Sequence, residues 1–365
     1  MSNENPVKVL LVSGVMDEPE LHLFKGLAEA GFKVDVISDP AERRQQLLRD
    51  SGINVRDIHI LHRFDFIRAR IIRQQIIEND YDVVYALFNR GLAAVILATR
   101  GLKCKIVGYR GTLGNISYLD PGCWVAHLHP RMRLISCNCK AVRKYLFDFG
   151  LPEDKLLTIY KGHKVEWYQG EVPTKVDGLD LPSDAFVIGC VANVRELKGI
   201  DYIIKALSLL PEQIHLVVVG HCKGNKYQKL AAKLGVSERV HFLGFRRDAS
   251  AIARIFKIAI MASTRREGIP RSIIEAMSQG IPAVVTTVGG LPELVPDKKA
   301  GLNVPPKDSQ ALANAILTLY NDPEKRAEYG AGAIDWIKTR FNADDTLKTY
   351  IKVFKDLAEE KRRDA

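Results

Sequence analysis

The sequence is poor in cysteine and shows no spacing typical of a metal-ligand set. Six cysteines in 365 residues are too sparse for a disulfide framework, and no two of them form a CxxC pair. We therefore expect reduced thiols in a cytoplasmic protein without a metal site.

Long apolar runs are missing as well. No segment approaches the roughly 18 consecutive apolar residues that a membrane-spanning helix needs. Residues 1–6 (MSNENP) lack the basic flank and apolar core of a signal peptide. The sequence thus predicts a protein that is soluble, or peripheral at the inner face of the cytoplasmic membrane.

Two common nucleotide-binding motifs are absent. The loop SGVMDEP after the first predicted strand has one glycine, Gly14, where a dinucleotide-binding loop needs GxGxxG, and GHCKGN at 220–225 also fails this spacing. The phosphate-binding pattern GxxxxGK[ST] does not occur. These absences argue against a dehydrogenase and a P-loop nucleotidase.

What the sequence does contain is an ordinary globular composition with an excess of positive charge. Hydrophobic residues make up 47% and charged residues 26%, which excludes disorder, collagen and a coiled coil. Lys and Arg number 53 against 43 Asp and Glu, so the net charge of +10 favours an anionic partner: nucleic acid, acidic lipid or a phosphorylated small molecule. No recognised nucleic-acid-binding motif accompanies the charge. We expect no nucleic-acid partner, although a basic nucleic-acid-binding protein stays an alternative.

Short β-branched runs alternate with helix-length segments in two successive halves. A strand at Val7–Val12 opens the first half and one at Phe186–Ala192 opens the second, with a Gly-, Pro- and Asp-rich stretch between the halves. Such alternation predicts parallel sheets covered by helices on both faces. We therefore predict an α/β protein with two Rossmann-like, doubly wound domains, residues 1–175 and 176–340, and a C-terminal helix within 341–365 that crosses back to the first domain.

Candidate binding residues concentrate at predicted strand ends of the second half. Arg195 and Lys198 follow a strand and precede a helix, where two cations and free backbone N–H groups favour a phosphate. A solvated basic turn is the alternative. Gly289 and Gly290, after a later strand, permit close backbone approach to a ligand, or simply form a turn.

Two carboxylates, Glu267 and Glu275, flank the point where a loop enters a helix. Carboxylates in such places can accept hydrogen bonds from vicinal hydroxyls, as acidic residues do with ribose in dinucleotide-binding folds. An exposed surface pair is the alternative, but the neighbouring Ile269, Ile273 and Ile274 make the segment core-facing.

These segments together resemble glycosyltransferase family 4, the retaining nucleotide-sugar transferases of GT-B fold. The matching residues are Arg195…Lys198-Gly199, Phe242-Leu243-Gly244, Glu267-Gly268-x-Pro270…Glu275-Ala276-Met277, Gly280-x-Pro282 and Gly289-Gly290-x-Pro292-Glu293. The resemblance covers essentially the whole chain, and its most specific part is the pair of glutamates. It implies two Rossmann-like domains that face a central cleft.

The resemblance also implies site residues. Arg195 and Lys198 would bind the donor diphosphate and stabilise the leaving group, Glu267 would contact the donor sugar, and these three residues would be catalytic. Glu275 would hydrogen-bond the ribose. The implied donor-binding residues are Gly14, Arg195, Lys198, Gly244, Phe245, Glu267, Gly268, Ile269, Pro270, Arg271, Ser272 and Glu275. No cofactor and no metal are implied.

The implied reaction moves a sugar from a nucleoside diphosphate to an acceptor hydroxyl with retention of configuration. The donor would be a UDP-sugar, with GDP-mannose next, and the acceptor a glycan or lipid-linked molecule in bacterial surface polysaccharide or lipopolysaccharide synthesis. Fixed cations at the phosphate act where negative charge develops. A non-hydrolysing nucleotide-sugar epimerase, which has the same fold and nucleotide site, stays an alternative.

The first domain departs from the family pattern at two places. Tyr109-Arg110-Gly111 stands where many members have His-Gly, and Lys161-Gly162-His163 stands where Asn-Gly is usual. We therefore treat Arg110 and His163 as candidate contacts to acceptor or donor.

Residues 56–73 (RDIHILHRFDFIRARIIR) interleave arginines with Phe and Ile. A basic amphipathic helix of this kind can lie on an anionic membrane surface, here through Arg63, Arg68, Arg70 and Arg73. The alternative is a helix packed on its own domain, with its arginines solvated.

Overall fold

Parallel strands and covering helices form two units in the structure, a computed structural model that describes residues 5–364. The first unit contains the described residues up to Gly162 and from Asn342 onward, and the second is His163–Phe341. This division falls earlier than residue 175. The reason is local, since the short helix Val165–Trp167 packs on helices of the second unit, and the His163 N–H donates to the Phe341 carbonyl at 2.6 Å.

The first unit is built on a seven-stranded sheet. In chain order its elements are β1 (Lys8–Val12), α1 (Glu18–Glu29), β2 (Lys33–Ser38), α2 (Gln45–Arg49), β3 (Asn54–Asp57), α3 (Phe66–Asn79), β4 (Val83–Ala86), α4 (Asn89–Ala98), β5 (Lys105–Arg110), α5 (Pro121–Trp124), β6 (Met132–Cys137), α6 (Lys140–Asp148) and β7 (Leu156–Thr158). The strand order is β3-β2-β1-β4-β5-β6-β7, and all pairs are parallel. Val9 through Val12 of β1 are fully buried, as expected for a strand covered on both faces.

The second unit has a six-stranded parallel sheet. Its elements are β8 (Phe186–Val191), α7 (Ile200–Leu207), β9 (Ile214–Val219), α8 (Lys226–Lys233), β10 (Val240–Gly244), α9 (Ala249–Ile252), β11 (Ile258–Met261), α10 (Arg271–Ser278), β12 (Ala283–Thr286), α11 (Leu291–Leu294), β13 (Gly301–Val304), α12 (Ser309–Asn321) and α13 (Pro323–Arg340). The order β10-β9-β8-β11-β12-β13 reverses direction between β8 and β11. The predicted α/β fold with two doubly wound domains is confirmed.

The last helix, α14 (Ala343–Arg363), belongs to the first unit. Its buried face places Tyr350, Phe354 and Leu357 in the same core as residues of β1 and α1. The Tyr350 hydroxyl lies 2.7 Å from the hydroxyls of both Tyr85 and Ser136, so the helix is tied to β4 and β6 by polar contacts as well. Within residues 5–364, every helix is too short or too polar to cross a bilayer.

A second anchor holds the end of α14. The Lys361 ammonium donates to Asp80 Oδ1 at 2.8 Å and to the Tyr81 carbonyl at 3.0 Å, and it lies 3.3 Å from Asp82 Oδ1. This cation is only 8% exposed. Burial of a charge is tolerated where partners of opposite charge surround it, so the anchor fixes the register of the helix on the unit.

We predict that Phe354→Ala lowers the free energy of unfolding of the first unit by about 3–5 kcal/mol, because it leaves a cavity in the core. Urea unfolding followed by amide hydrogen exchange resolves peptides of the two units and measures this loss. Phe147→Ala, at a side chain that is 52% exposed, is the control and should change little. Equal losses in the two variants would contradict the packing of α14.

Candidate active site

The point where the strand order reverses brings two loops of the second unit together. Ligands of doubly wound sheets bind at such a point, outside the carboxyl ends of the strands. The loop after β8 carries Arg195 and Lys198, and the loop after β11 carries Glu267. Gly199 follows with φ +66°, and a Cβ there would collide with the Ala262 carbonyl, so only glycine lets the β8 loop lie against the end of β11.

Lys198 and Glu267 form an ion pair at this junction. Lys198 Nζ donates to Glu267 Oε2 at 2.7 Å, and the side chains are 17% and 10% exposed. The Ser263 hydroxyl donates to the same carboxylate oxygen at 2.5 Å, and Ser263 is fully buried. Thr286 Oγ1 in turn donates to the Ser263 carbonyl at 2.6 Å. The carboxylate is therefore held by a cation on one side and by a fixed hydroxyl on the other.

Backbone hydrogen bonds join three loops around the pair. The Thr264 N–H donates to the Leu197 carbonyl at 2.8 Å, which ties the β11 loop to the β8 loop. The Gly290 N–H donates to the Glu267 carbonyl at 3.1 Å, which ties in the loop after β12. The two predicted segments at Glu267 and Gly290 are thus in direct contact. Hydrogen bonds within the protein therefore fix the backbone of these three loops relative to one another.

Arg195 starts the turn that contains Lys198. Its carbonyl accepts the Lys198 N–H at 2.9 Å, and the residue is exposed. One turn of chain therefore carries both cations, with an exposed guanidinium at its beginning and the paired ammonium at its end.

Helix α10 begins directly after the Glu267 loop. Pro270 precedes its first residue, and Arg271 Nε lies 3.0 Å from Glu275 Oε1, with the Glu275 side chain 14% exposed. The first N–H groups of a helix have no partner inside it, so this end suits an anion. Gly268 and Pro270 are buried, whereas Ile269 and Ser272 are half-buried. All these predicted donor-binding residues lie in one continuous segment.

Gly244 and Phe245 lie farther out along the same edge of the sheet. Gly244 is the last residue of β10, and Phe245 follows it. Strand β9 separates β10 from β8, and the Gly244 carbonyl accepts the Gly220 N–H at 2.7 Å. The Phe245 ring is 69% exposed. An exposed ring at this edge of the sheet could contact a flat base.

The remaining predicted residues are not part of this cluster. Gly14 belongs to the first unit, where it follows β1 and has ordinary space for a Cβ, so no steric demand explains the glycine. Arg110 is 4% exposed and donates to the carbonyls of Thr112 and Gly114. His163 is 2% exposed, with Nδ1 2.6 Å from the Tyr168 hydroxyl. Both side chains are buried and hydrogen-bonded within their own units, and a contact of either one to acceptor or donor stays a prediction.

Ser263 and Thr286 were not found from the sequence. Ser263 lies four residues before Glu267, and only the fold shows that its hydroxyl returns to the carboxylate. Cys190 lies behind the ion pair, where burial raises the pKa of its thiol to about 12. This thiol therefore stays neutral and is no nucleophile.

A half-buried charge cluster in the first unit was also missed. Lys161 Nζ lies 2.7 Å from Asp17 Oδ2 and 2.9 Å from Glu20 Oε1, beyond the carboxyl ends of β1 and β7. Burial lowers the pKa of Lys161, but the charges of Glu20 and Asp17 outweigh this effect and raise it above its ordinary value. Burial is the main cause that raises the pKa of Glu20. Residues 160–163 thus supply a structural cation where the family pattern has an asparagine.

The described residues 5–364 contain no group of three or more His, Cys, Asp or Glu side chains that could hold a metal ion. The Glu267 carboxylate is already engaged by Lys198 and Ser263. That the reaction needs no metal stays a prediction.

Comparison with protein families matches almost the whole chain. Residues 21–167 match the model described as Glycosyltransferase Family 4, and residues 172–336 match Glycosyl transferases group 1. The chain belongs to the family 4 type of glycosyltransferases. The match to Glycosyl transferases group 1 covers the complete Lys198–Glu267 cluster and α10.

Among curated relatives, the D-inositol 3-phosphate glycosyltransferase of Stackebrandtia nassauensis is 34% identical over 193 residues, which are 47% of this chain and 43% of the relative. The D-inositol 3-phosphate glycosyltransferase of Xylanimonas cellulosilytica is 29% identical, and the match spans 94% of this chain and 91% of the relative. The matches to the first three relatives span 43%, 45% and 60% of their lengths.

Solved structures show the same fold. A glycosyltransferase from Rickettsia africae superposes with a TM-score of 0.80 at 19% identity, over 97% of this chain and 99% of its own. HepE of Anabaena, crystallised with UDP, superposes with a TM-score of 0.78 at 24% identity, over 96% of this chain and 100% of the HepE chain. The GT-B fold predicted from the sequence is therefore confirmed.

We predict that Ser263→Ala lowers the free energy of unfolding of the second unit by about 1–3 kcal/mol, because the buried Glu267 carboxylate loses a charge-assisted hydrogen bond. Ser278→Ala is a matched control, since Ser278 is equally buried but its hydroxyl has no hydrogen-bond partner. Urea unfolding with amide hydrogen exchange measures both. If the control loses as much stability as Ser263→Ala, the hydroxyl does not hold Glu267.

Proposed function

We propose that this glycosyltransferase moves a sugar from a nucleoside diphosphate to a hydroxyl group of a glycan or lipid-linked acceptor. The donor is a UDP-sugar, with GDP-mannose as the second choice. The observation that carries this proposal is the Lys198–Glu267 pair at the strand-order reversal, beside Arg195 and the start of α10. It combines cations, backbone donors and carboxylates, the groups that a sugar diphosphate requires.

The cations would act on the leaving group. When the bond between the sugar and the diphosphate breaks, negative charge grows on the β-phosphate and positive charge grows at the anomeric carbon. In the proposal the Lys198 ammonium turns from Glu267 to the diphosphate, and the Arg195 guanidinium binds the same phosphates. These contacts strengthen as the charge develops, so they lower the barrier rather than merely improve binding.

The carboxylates would orient the donor. Glu267, released from part of its contact with Lys198 and still held by Ser263, would accept hydrogen bonds from sugar hydroxyls. Glu275 would accept them from the ribose, one helical turn into α10. Phe245 and Gly244 would border the base. These roles are proposals, supported by the positions of the residues along one edge of the sheet.

We propose retention of configuration. The acceptor hydroxyl attacks from the face that the diphosphate leaves, and the departing phosphate takes its proton. No carboxylate nucleophile is then required, which agrees with a Glu267 carboxylate already engaged by an ammonium and a hydroxyl.

The names of related proteins support the substrate classes. HepE of Anabaena was crystallised with UDP-glucose, and the relative LpsE of Rhizobium meliloti, 28% identical over 60% of this chain, is a lipopolysaccharide core glycosyltransferase. On this basis we propose a role in bacterial surface polysaccharide or lipopolysaccharide synthesis, inside the cell and peripheral at the membrane where a lipid-linked acceptor is found.

The donor is tested by thermal unfolding with UDP, GDP and ADP and their sugars. A ligand that binds only the folded protein stabilises it by about 2.7 kcal/mol at a hundred times its Kd. We expect UDP compounds to raise the Tm most, and Glu275→Ala to weaken this effect. No stabilisation by any nucleotide would contradict the proposed function.

Measurements of kcat separate the proposed action of Lys198 on the leaving group from the binding of the nucleotide. We predict that Lys198→Ala lowers kcat strongly while nucleotide binding falls less, because the lost contact is made mainly with the leaving group. Lys226→Ala removes an exposed pair with Glu196 in the same unit and is the matched control. Wild-type turnover by Lys198→Ala would refute the mechanism, and formation of an epimeric donor without acceptor would indicate the epimerase instead.

A further inference from the structure

A cleft of about 340 Å³ lies in the second unit, where the C-terminal end of α10 meets the turn after α9, helix α13 and the chain at 168–172. The residues of the Lys198–Glu267 pair do not line it. Pockets that hold small molecules measure roughly 300–1,000 Å³, so the cleft has room for one small ligand. Part of its wall is apolar and consists of Tyr168, Val172 and Ile334.

Three buried polar atoms in the wall of this cleft have no hydrogen-bond partner within residues 5–364. They are Arg254 Nε, Ser278 Oγ and Gln279 Oε1. In that part of the chain only eight buried side-chain nitrogen and oxygen atoms lack a partner, so three of them at one place form a concentration. An unpaired buried polar group costs free energy, and a bound ligand or ordered water removes that cost.

The Arg254 guanidinium is held so that its Nε–H is left for a ligand. Its Nη2 donates to the carbonyls of Tyr168 and Gln169 at 2.9 and 3.0 Å, and its Nη1 donates to the carbonyl of Glu171 at 3.2 Å. A Cβ at Gly170 would lie 2.7 Å from Nη2, so the glycine lets the chain pass closely around the guanidinium. The position of the Nε–H is therefore fixed by the fold.

The Gln279 amide is oriented by its neighbours. Its Nε2 donates to the carbonyls of Ser250 and Glu275 at 3.1 and 3.0 Å. Because both partners are acceptors, the amide nitrogen must face them and Oε1 must face away.

Ser278, the last residue of α10, is fully buried. Serine hydroxyls in helices often donate to a carbonyl of the preceding turn, but the Ser278 hydroxyl makes no such bond. Its hydrogen-bonding capacity therefore remains for a molecule in the cleft.

The three atoms call for a ligand that both donates and accepts hydrogen bonds. Arg254 Nε–H donates, Gln279 Oε1 accepts, and the Ser278 hydroxyl can do either. A simple carboxylate only accepts hydrogen bonds, so it would leave Gln279 Oε1 unpaired. Neighbouring hydroxyl groups of a sugar ring meet all three needs, because each hydroxyl donates one hydrogen bond and accepts others.

Helix α10 connects the cleft with the candidate donor site. The helix begins at Arg271 in the donor segment and ends at Ser278, so its eight residues span about 12 Å. The Gln279 amide binds the carbonyl of Glu275, the proposed ribose contact. The cleft is therefore a separate site, close enough to the donor site for one oligosaccharide to reach both.

We propose that this cleft binds a saccharide through neighbouring hydroxyl groups. One hydroxyl accepts from Arg254 Nε–H and donates to Gln279 Oε1, the next pairs with the Ser278 hydroxyl, and the apolar part of the wall contacts the C–H groups of the ring. The binding itself is independent of sugar transfer. It rests on the proposed function only for its role, which is to hold a remote part of a glycan acceptor and so supply binding energy away from the reacting atoms.

Titration of the Arg254 Nε–H signal in proton–nitrogen correlation spectra tests the proposal. The signal is assigned by its absence in Arg254→Lys. Glucose, galactose, mannose, N-acetylglucosamine and glucuronate are added to the full-length protein, with and without excess UDP. We expect at least one sugar to shift the signal saturably under both conditions, and Ser278→Ala to raise its Kd roughly five- to tenfold through the loss of one hydrogen bond.

A matched serine distinguishes this cleft from general effects. Ser208 follows α7 in the same unit, and its hydroxyl donates to the Lys205 carbonyl at 2.8 Å. Ser208→Ala should bind the sugar as the wild type does. Thermal unfolding with UDP should show equal stabilisation in both serine variants, because Ser278 lies at the end of α10 that is remote from the donor segment.

Three results would overturn the proposal. One is a wild-type signal that none of the five sugars shifts, as expected if the cleft holds ordered water only. Another is an equal rise of Kd in Ser278→Ala and Ser208→Ala. The third is a saturable shift by acetate as large as that by the sugars, since the cleft would then bind simple anions. Loss of UDP stabilisation with intact, Ser278-dependent sugar binding would refute the proposed function and leave the saccharide cleft standing.

Discussion

The site depends on one constraint of parallel sheets: all strands end at the same edge, and the order reverses at one point. In the second unit this reversal lies between β8 and β11. The helices that follow these strands pack on opposite faces of such a sheet, so the two loops diverge and leave room above the strand ends. Lys198 and Glu267 lie in these two loops, which explains why residues 69 positions apart in sequence come within hydrogen-bond distance.

The Lys198–Glu267 pair compensates two charges that are largely shielded from water. A half-buried ammonium without a partner would cost stability, and breaking a buried pair by removing one member costs about 3–5 kcal/mol. The carboxylate compensates the cation until an anion arrives. Because Ser263 continues to hold Glu267, the carboxylate keeps a hydrogen bond when the ammonium turns to a diphosphate. The pair therefore stabilises the second unit and also allows the ammonium to exchange its contact with Glu267 for one with a diphosphate.

The strands could be predicted because their β-branched runs are short, buried on both faces and separated by helix-length segments. Val9–Val12 and Ile214–Val219 are examples in which every residue is buried. The edge of the sheet that carries the candidate binding residues could also be predicted, since the carboxyl ends of parallel strands meet at one edge. The boundary between the units was harder to predict. Residues 163–168 directly follow the last strand of the first domain, but the short helix within them packs on helices more than 100 positions later.

Side-chain partners were the least predictable part. Arg110 is a candidate contact to acceptor or donor from its place in the sequence, and only the structure shows its guanidinium hydrogen-bonded to the carbonyls of its own loop. Ser263 looked like an ordinary residue at a strand end, although it supports the central carboxylate. In residues 56–73 the composition left open a helix on a membrane surface and a helix packed on its own domain, and only the structure shows that Asp65 caps a helix beginning at Phe66. In each case a side-chain hydrogen bond to a residue within four positions along the chain decides where the group is engaged, and periodicity contains no information about it.

The central claim is that Lys198 binds the β-phosphate of the donor. Calorimetric titration of wild type and Lys198→Ala with UDP and with UMP tests it most directly, because only UDP carries that phosphate. The account predicts that Lys198→Ala reduces UDP affinity by about 1.5–3 kcal/mol, the value of a hydrogen bond to a charged group, and leaves UMP affinity nearly unchanged. An equal loss for both nucleotides, or none for either, would contradict it.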